Sequence, residues 1–179
     1  NVLPDELIER MHQEYKKFWN AARVAKANAL GLTPLEVSTL ASIVQAESVK
    51  PEEAPIIAGL YINRLTKNMP LQADPTLVFA SGDFTLKRVL NVHKEIDSPY
   101  NTYKYTGLPP GPINMPQLAT LDAVLDYSKH TYVYMCARED FSGFHNFAST
   151  LQEHSRNASK YQKALSIEIA KGKALRGEK

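Results

Sequence analysis

In the stretch LASIVQAESV, Leu40 to Val49, a single carboxylate interrupts an apolar helical run. On a helix that advances 100° per residue, with Val37 at the origin, Ile43 falls at about 240°, Leu40 at about 300° and Glu47 at about 280°. Glu47 therefore lies on the apolar stripe one turn beyond Ile43 and Leu40, whereas Gln45 and Glu36 are placed to reach water or a helix cap. A carboxylate there can snorkel out at the helix end, pair with a cation such as Lys50 or Arg64, or stay part-buried with a raised pKa. The last outcome carries chemistry, because an acid that keeps its proton near neutral pH can hand it to a leaving oxygen. Periodicity alone leaves all three open.

Other polar groups fall in three short segments. Gln72 and Asp74 lie in LQADPT, where Pro75 fixes the following backbone and where Asp74 could equally serve as an Asx-turn residue. The segment SPYNTYKYTGLPPGPINMP, residues 98–116, holds five prolines and two glycines and so excludes continuous helix or central strand. Its Tyr100, Asn101, Thr102 and Tyr103 combine rings with amides and hydroxyls, a mixture suited to flat polar ligands; a packed surface loop is the alternative. His145 and Asn146 in FHNF sit where strand alternation sends them to opposite faces.

The elements that must position these groups follow from period and punctuation. Leu7, Ile8, Met11, Tyr15, Phe18 and Trp19 recur at helical steps, so the first thirty residues read as one helix ended by Gly31. Thr33-Pro34-Leu35-Glu36 forms a capping box with proline at the first helical position, opening a helix from Pro34 to Ser48. Lys50-Pro51-Glu52-Glu53 opens another that runs to Lys67 on Ile56, Ile57, Leu60, Tyr61 and Leu65. Residues 75–80 suggest one or two helical turns, closed by Ser81-Gly82. A helix follows from Pro116 to Tyr127, then a strand over Thr131 to Ala137 paired with Phe144 to Phe147 in a hairpin. Ser149 to Glu153 is a second capping box, opening a last helix to about Lys171. Tyr61 and Trp19 fit apolar stripes and read as core, and Lys50 and Arg64 as structural pairing partners. The expectation is an α+β fold, a helix-rich single domain over residues 1–179 packed around a small, mostly antiparallel sheet.

Composition sets outer bounds. A chain of 179 residues, 44% hydrophobic, is long enough for one domain with a true core. With 21 Lys and Arg against 19 Asp and Glu, the formal charge of +2 gives no field that would call for nucleic acid. Cys136 is the single cysteine, which rules out an intrachain disulfide and argues against a zinc site; no metal or cofactor is expected. No window reaches the length of an apolar membrane helix.

The segments LTPLEVSTLASIVQAES, INRLTKNMPLQADPT, SPYNTYKYTGLPPGPI and FHNFASTLQEH resemble, in order and spacing, the YceG-like family of endolytic murein transglycosylases. The likeness spans Thr33 to His154. It implies that the acid closing the A-S-I-V-x-x-E segment is catalytic, and here that position is Glu47; where many members carry a further Glu, this chain has Gln45. It implies cleavage inside peptidoglycan strands, between N-acetylmuramic acid and N-acetylglucosamine, leaving a 1,6-anhydro end. Such a reaction asks one residue to protonate the glycosidic oxygen and then take the proton of the sugar's own C6 hydroxyl. On this reading Gln72, Asp74, Tyr100, Asn101, Thr102, Tyr103, His145 and Asn146 bind substrate, with Asp74 hydrogen-bonding a sugar or orienting Glu47 and His145 touching substrate or Glu47. A backbone-bonded structural His145 stays open. The resemblance further implies a full-length protein anchored in the bacterial inner membrane, its catalytic domain on the periplasmic, cell-wall side, with a LysM-like region and the anchor lying outside this chain. Glycan strands, and wall-synthesis proteins, are the implied partners. Two other readings compete: a peptidoglycan hydrolase using Asp74, Glu95 or Asp97 as second carboxylate, and a non-catalytic peptidoglycan-binding module.

Overall fold

The computed structural model describes residues 3–47, 49–86 and 88–176. Its elements run α1 (Pro4–Phe18), α2 (Ala21–Ala29), α3 (Pro34–Glu47), α4 (Ala54–Thr66), α5 (Asp74–Ser81), α6 (Leu118–Leu125), β1 (Tyr134–Ala137), β2 (His145–Ala148) and α7 (Leu151–Arg176), with short 3₁₀ turns at Pro51–Glu53 and Asn91–Glu95. The fold is α+β: helices around one two-stranded antiparallel sheet, in which Met135 faces Phe147 and Ala137 faces His145.

The single helix expected over the first thirty residues is two. After Phe18 the chain breaks, and the Asn20 side chain accepts from the Arg23 amide at 3.1 Å to start α2. An asparagine three residues before an amide it can cap is a start signal, and here it outweighs an apolar period that continues across it. Both strands are shorter than or shifted from expectation: β1 begins at Tyr134 rather than Thr131, and β2 runs one residue beyond Phe147. The expected helix end at Ser48 lies outside the described residues.

The α3 helix is the axis of the core. Its start follows the capping box, with Thr33 N donating to Glu36 Oε2 at 2.7 Å and Glu36 N to Thr33 Oγ1 at 3.2 Å. Val37, Leu40, Ala41, Ile43 and Val44 are all buried, with α2, α4, α5 and α6 packed around them. Even Thr39 and Ser42 are sealed in. Each hydroxyl donates to a carbonyl of its own helix, Thr39 to Leu35 and Ser42 to Thr39, which removes the cost of burying them.

Against this axis α4 carries the link to the sheet. Asn63 Nδ2 donates to the carbonyls of His130 and Tyr132, and Arg64 Nη1 to that of Val133. The approach is close: a Cβ on Gly59 would stand 2.3 Å from the Ser128 carbonyl oxygen, so only glycine fits. The α7 helix then covers β1 and β2, opened by the second capping box, in which Ser149 N donates to Glu153 Oε2 and Glu153 N to Thr150 Oγ1. Among the described residues no helix is long and apolar enough to cross a membrane.

The proline-rich segment 98–116 forms no regular element but is fastened to α3. Ile113 N donates to Ser42 Oγ, Asn114 Nδ2 to the Ser42 carbonyl, and Gln117 N to Gln45 Oε1 at 2.7 Å. Gln45 thus ties the loop to the helix that ends in Glu47.

Candidate active site

A cleft of about 570 Å³ opens where α3 ends. Ala46 and Glu47 form its floor, Asp74, Pro75, Val78 and Phe79 of α5 one wall, Phe84, Leu86, Arg88 and Val89 from the chain after α5 another, and Ile113 with Asn114 the loop side. Its lining is mostly apolar, with Glu47, Asp74, Arg88 and Asn114 as the polar exceptions. That is the usual composition of a ligand site: apolar surface for area, a few polar groups for orientation.

Glu47 is half-buried, and none of the ion pairs among the described residues includes its carboxyl. Tyr61, buried on α4, donates its hydroxyl to Glu47 Oε1 at 2.6 Å. Arg64, one turn further along α4, commits its guanidinium to the Pro70 carbonyl, the Val133 carbonyl and Gln72 Oε1 instead. Burial drives the Glu47 pKa up from 4.5 to about 7; the Tyr61 hydrogen bond works against the rise, and the negative charge of Asp74 adds to it. Burial, reinforced by the Glu47 charge, also pushes the Tyr61 phenol well up, so it stays a donor. The ion-paired role for Glu47 is thus set aside, and Tyr61 is core by its ring but part of the site by its hydroxyl.

Asp74 stands in the first turn of α5, exposed to the same cleft. Tyr103 donates to its Oδ1 at 2.5 Å, and burial, then the bond to Asp74, holds the Tyr103 phenol well above its ordinary value. The Lys94 ammonium lies 4.9 Å from the centroid of the Tyr103 ring. Tyr100 packs on Phe79 at 4.6 Å between centroids, backing the aromatic wall, and Phe84 meets the other side of Phe79 edge-on at 6.4 Å.

The remaining residues expected to bind substrate are placed differently. Asn101 is fully buried: its Nδ2 donates to the carbonyls of Lys94 and Ile96, and its Oδ1 accepts from the amides of Tyr103 and Lys104. Thr102 is sealed beside it, its hydroxyl accepting from the Ala73 amide and bonding Thr76. These two side chains organise the loop rather than face the cleft. Gln72, in a left-handed backbone conformation with φ of 54°, accepts from Arg64 at its side-chain Oε1, and its backbone N–H donates to the Thr102 carbonyl. His145 does not reach Glu47: its amide and its Nδ1 both lie 2.8 Å from the carboxylate oxygens of buried Glu53. Asn146, on the other face of β2, donates to Glu139. Of the alternative second carboxylates, only Asp74 shares the cleft. Asp97 accepts from Lys104 and Tyr105 beside a separate hollow, and Glu95 is exposed at the end of a 3₁₀ turn.

Phe79, Phe84, Arg88, Asn114 and the Tyr61 hydroxyl went unrecognised in the sequence. No strand alternation marks Phe84 and Arg88: Asp83 to Leu86 form a turn, in which Thr85 N donates to Asp83 Oδ1 and Leu86 N to the Asp83 carbonyl.

A sequence model of the YceG-like family matches residues 1–160. The chain is 43% identical over 123 residues to an endolytic murein transglycosylase of Bacillus subtilis strain 168, covering 69% of this chain and 33% of that protein. It is 31% identical over 163 residues to an endolytic murein transglycosylase of Streptococcus pneumoniae serotype 2, covering 89% and 28%. A crystal structure of a yceG-like protein from Listeria monocytogenes superposes with a TM-score of 0.68 at 35% identity, covering 74% of this chain and 42% of the other. The chain thus spans about a third or less of the length of these curated relatives. It belongs to the YceG-like family.

Proposed function

We propose that this chain is the catalytic part of an endolytic peptidoglycan lytic transglycosylase, with Glu47 as general acid and then general base. The observation that carries the reading is one carboxylic acid, sheltered enough to titrate at about 7, bonded to a phenol and opening into a cleft. An acid poised near the working pH is suited both to giving a proton and to taking it back.

The steps close without water. Tyr61 occupies Glu47 Oε1, which leaves Oε2 to carry the proton toward the substrate. Transfer of that proton to the glycosidic oxygen lets the bond between it and the muramic acid anomeric carbon break. The C6 hydroxyl oxygen of the same muramic acid then bonds the anomeric carbon, and the Glu47 carboxylate takes its proton. The product is a 1,6-anhydro end, and Glu47 is protonated again. Phe79 and Phe84 offer ring faces and apolar surface to the sugars, while Asn114 and Asp74 offer hydrogen bonds. The same reading has the full-length protein anchored in the bacterial inner membrane, with this catalytic part on the cell-wall side.

Glu47→Gln keeps the shape and removes the titratable proton. Release of anhydro-muropeptides from purified peptidoglycan should vanish while the circular dichroism spectrum and Tm stay near wild type; turnover near the wild-type rate would refute the assignment. A second reading is favoured by one fact, that Asp74 lines the same cleft. A hydrolase uses two carboxyl groups about 5 to 9.5 Å apart and leaves a reducing muramic acid end. Mass spectrometry of the products separates the two.

A further inference from the structure

Two tyrosines each hold one carboxyl group at this cleft, and the two pairs are unlike. Tyr61 and Glu47 are withdrawn into the protein, whereas Asp74, held by Tyr103, is exposed at the cleft wall. The Asp74 carboxyl is among the causes that raise both Glu47 and Tyr103. None of the ion pairs among the described residues includes it. The groups around the pair are Tyr61 and Arg64 from α4, Tyr103 and Lys94 from the loop side, and Arg88 from the opposite wall. Of the cations, Arg64 is committed to Pro70, Val133 and Gln72, and Lys94 lies over the Tyr103 ring.

Glycosidic cleavage passes through a state in which the anomeric carbon and ring oxygen carry positive charge. In the lytic sequence Glu47 cannot offset that charge at the outset, because it begins neutral and gives up its proton only as the bond breaks. We propose that Asp74 is a second catalytic residue, an anion clamped by Tyr103 that stabilises the glycosyl cation at the anomeric carbon. This rests on the lytic reading above. Asp74 forms no covalent bond and activates no water; the electron pair of the broken bond leaves with the protonated oxygen, and the C6 oxygen supplies the new pair. The Tyr103 hydroxyl fixes one carboxylate oxygen and blunts its nucleophilicity, leaving the other to face the sugar.

Asp74→Asn retains size and an acceptor for Tyr103 but removes the charge. Measured on purified glycan strands, kcat should fall by about a hundredfold or more, the scale of losing one preorganised charge-stabilising group, with KM changed less than about threefold. The basic limb of the pH profile should also move to lower pH, because the charge that helps raise Glu47 is gone. Tyr103→Phe, which keeps the charge and loses the clamp, should cost a smaller factor, about tenfold. A kcat within about threefold of wild type for Asp74→Asn would overturn the proposal. So would a loss that follows a lowered Tm with the pH limb unmoved, which would make Asp74 structural. The parent reading fails separately: it falls if wild-type products carry reducing ends, whereas anhydro ends from the wild type with an indifferent Asp74→Asn sink this inference alone.

Discussion

The Tyr61 hydroxyl on α4 stands 2.6 Å from Glu47 Oε1 at the last residue of α3, so the acid and its donor come from two helices packed against each other in the core. The bond steadies one carboxyl oxygen and moderates the pKa. Because it favours the ionised form, its removal should let burial push Glu47 higher still. Tyr61→Phe is expected to move the basic limb of the kcat/KM profile to higher pH while lowering the plateau, since the acid loses its fixed orientation. A limb that stays in place or moves down would show that Tyr61 does not act on Glu47.

The same shift has a stability consequence with a definite sign. Glu47 is raised in the folded state, from 4.5 to about 7, so the native protein holds this proton more tightly than the unfolded chain. The resulting stabilisation is full below about pH 4.5 and is lost as pH rises through about 7; it amounts to about 3 kcal/mol as an upper bound, since part of the group faces water. Denaturant midpoints measured from pH 4.5 to 8 should therefore show a decline that Glu47→Gln removes. A wild-type and variant pair with parallel pH dependence would contradict the shift.

What could be read from the sequence is what local chemistry controls. The Thr33 and Ser149 capping boxes, the helix ended by Gly82 and the pairing of the hairpin, though not its strand ends, all rest on neighbours along the chain and match expectation. Glu47 could be singled out because one carboxylate on an apolar stripe breaks a local rule. Its partners could not be found that way. Tyr61 lies fourteen positions away and looked like core because its ring is core; only packing brings its hydroxyl to Glu47. The YNTY segment combines rings with amides and hydroxyls, yet side-chain type does not say which way each one points. Asn101 and Thr102 turned inward to satisfy backbone groups of a loop that has no helix or ladder to do so, while Tyr103 turned toward Asp74. His145 is held by its buried partner Glu53, whose place in the sequence marks it only as a helix-start acid.

Asn101 carries a prediction of its own. Asn101→Ala removes four hydrogen bonds; the Ile96 carbonyl keeps the Ser98 amide and the Lys104 amide keeps the Asn101 carbonyl, so the loss falls on the Lys94 carbonyl and the Tyr103 amide, each costing about 1–3 kcal/mol where water cannot replace the lost bond. Thermal unfolding should show a Tm lower by many degrees, and activity should fall with it, because Tyr103 is held by this loop. Wild-type stability together with weakened glycan binding would instead place Asn101 at the substrate.

In the proposed reaction the muramic acid's own C6 hydroxyl, not water, attacks the anomeric carbon and gives its proton to Glu47. Digestion of purified glycan strands in water enriched in oxygen-18, followed by mass spectrometry of the released fragments, tests this directly. The expected result is fragments with 1,6-anhydro ends and no heavy oxygen incorporated, and no such fragments from Glu47→Gln. Fragments from the wild-type chain with reducing ends carrying oxygen-18 would contradict it.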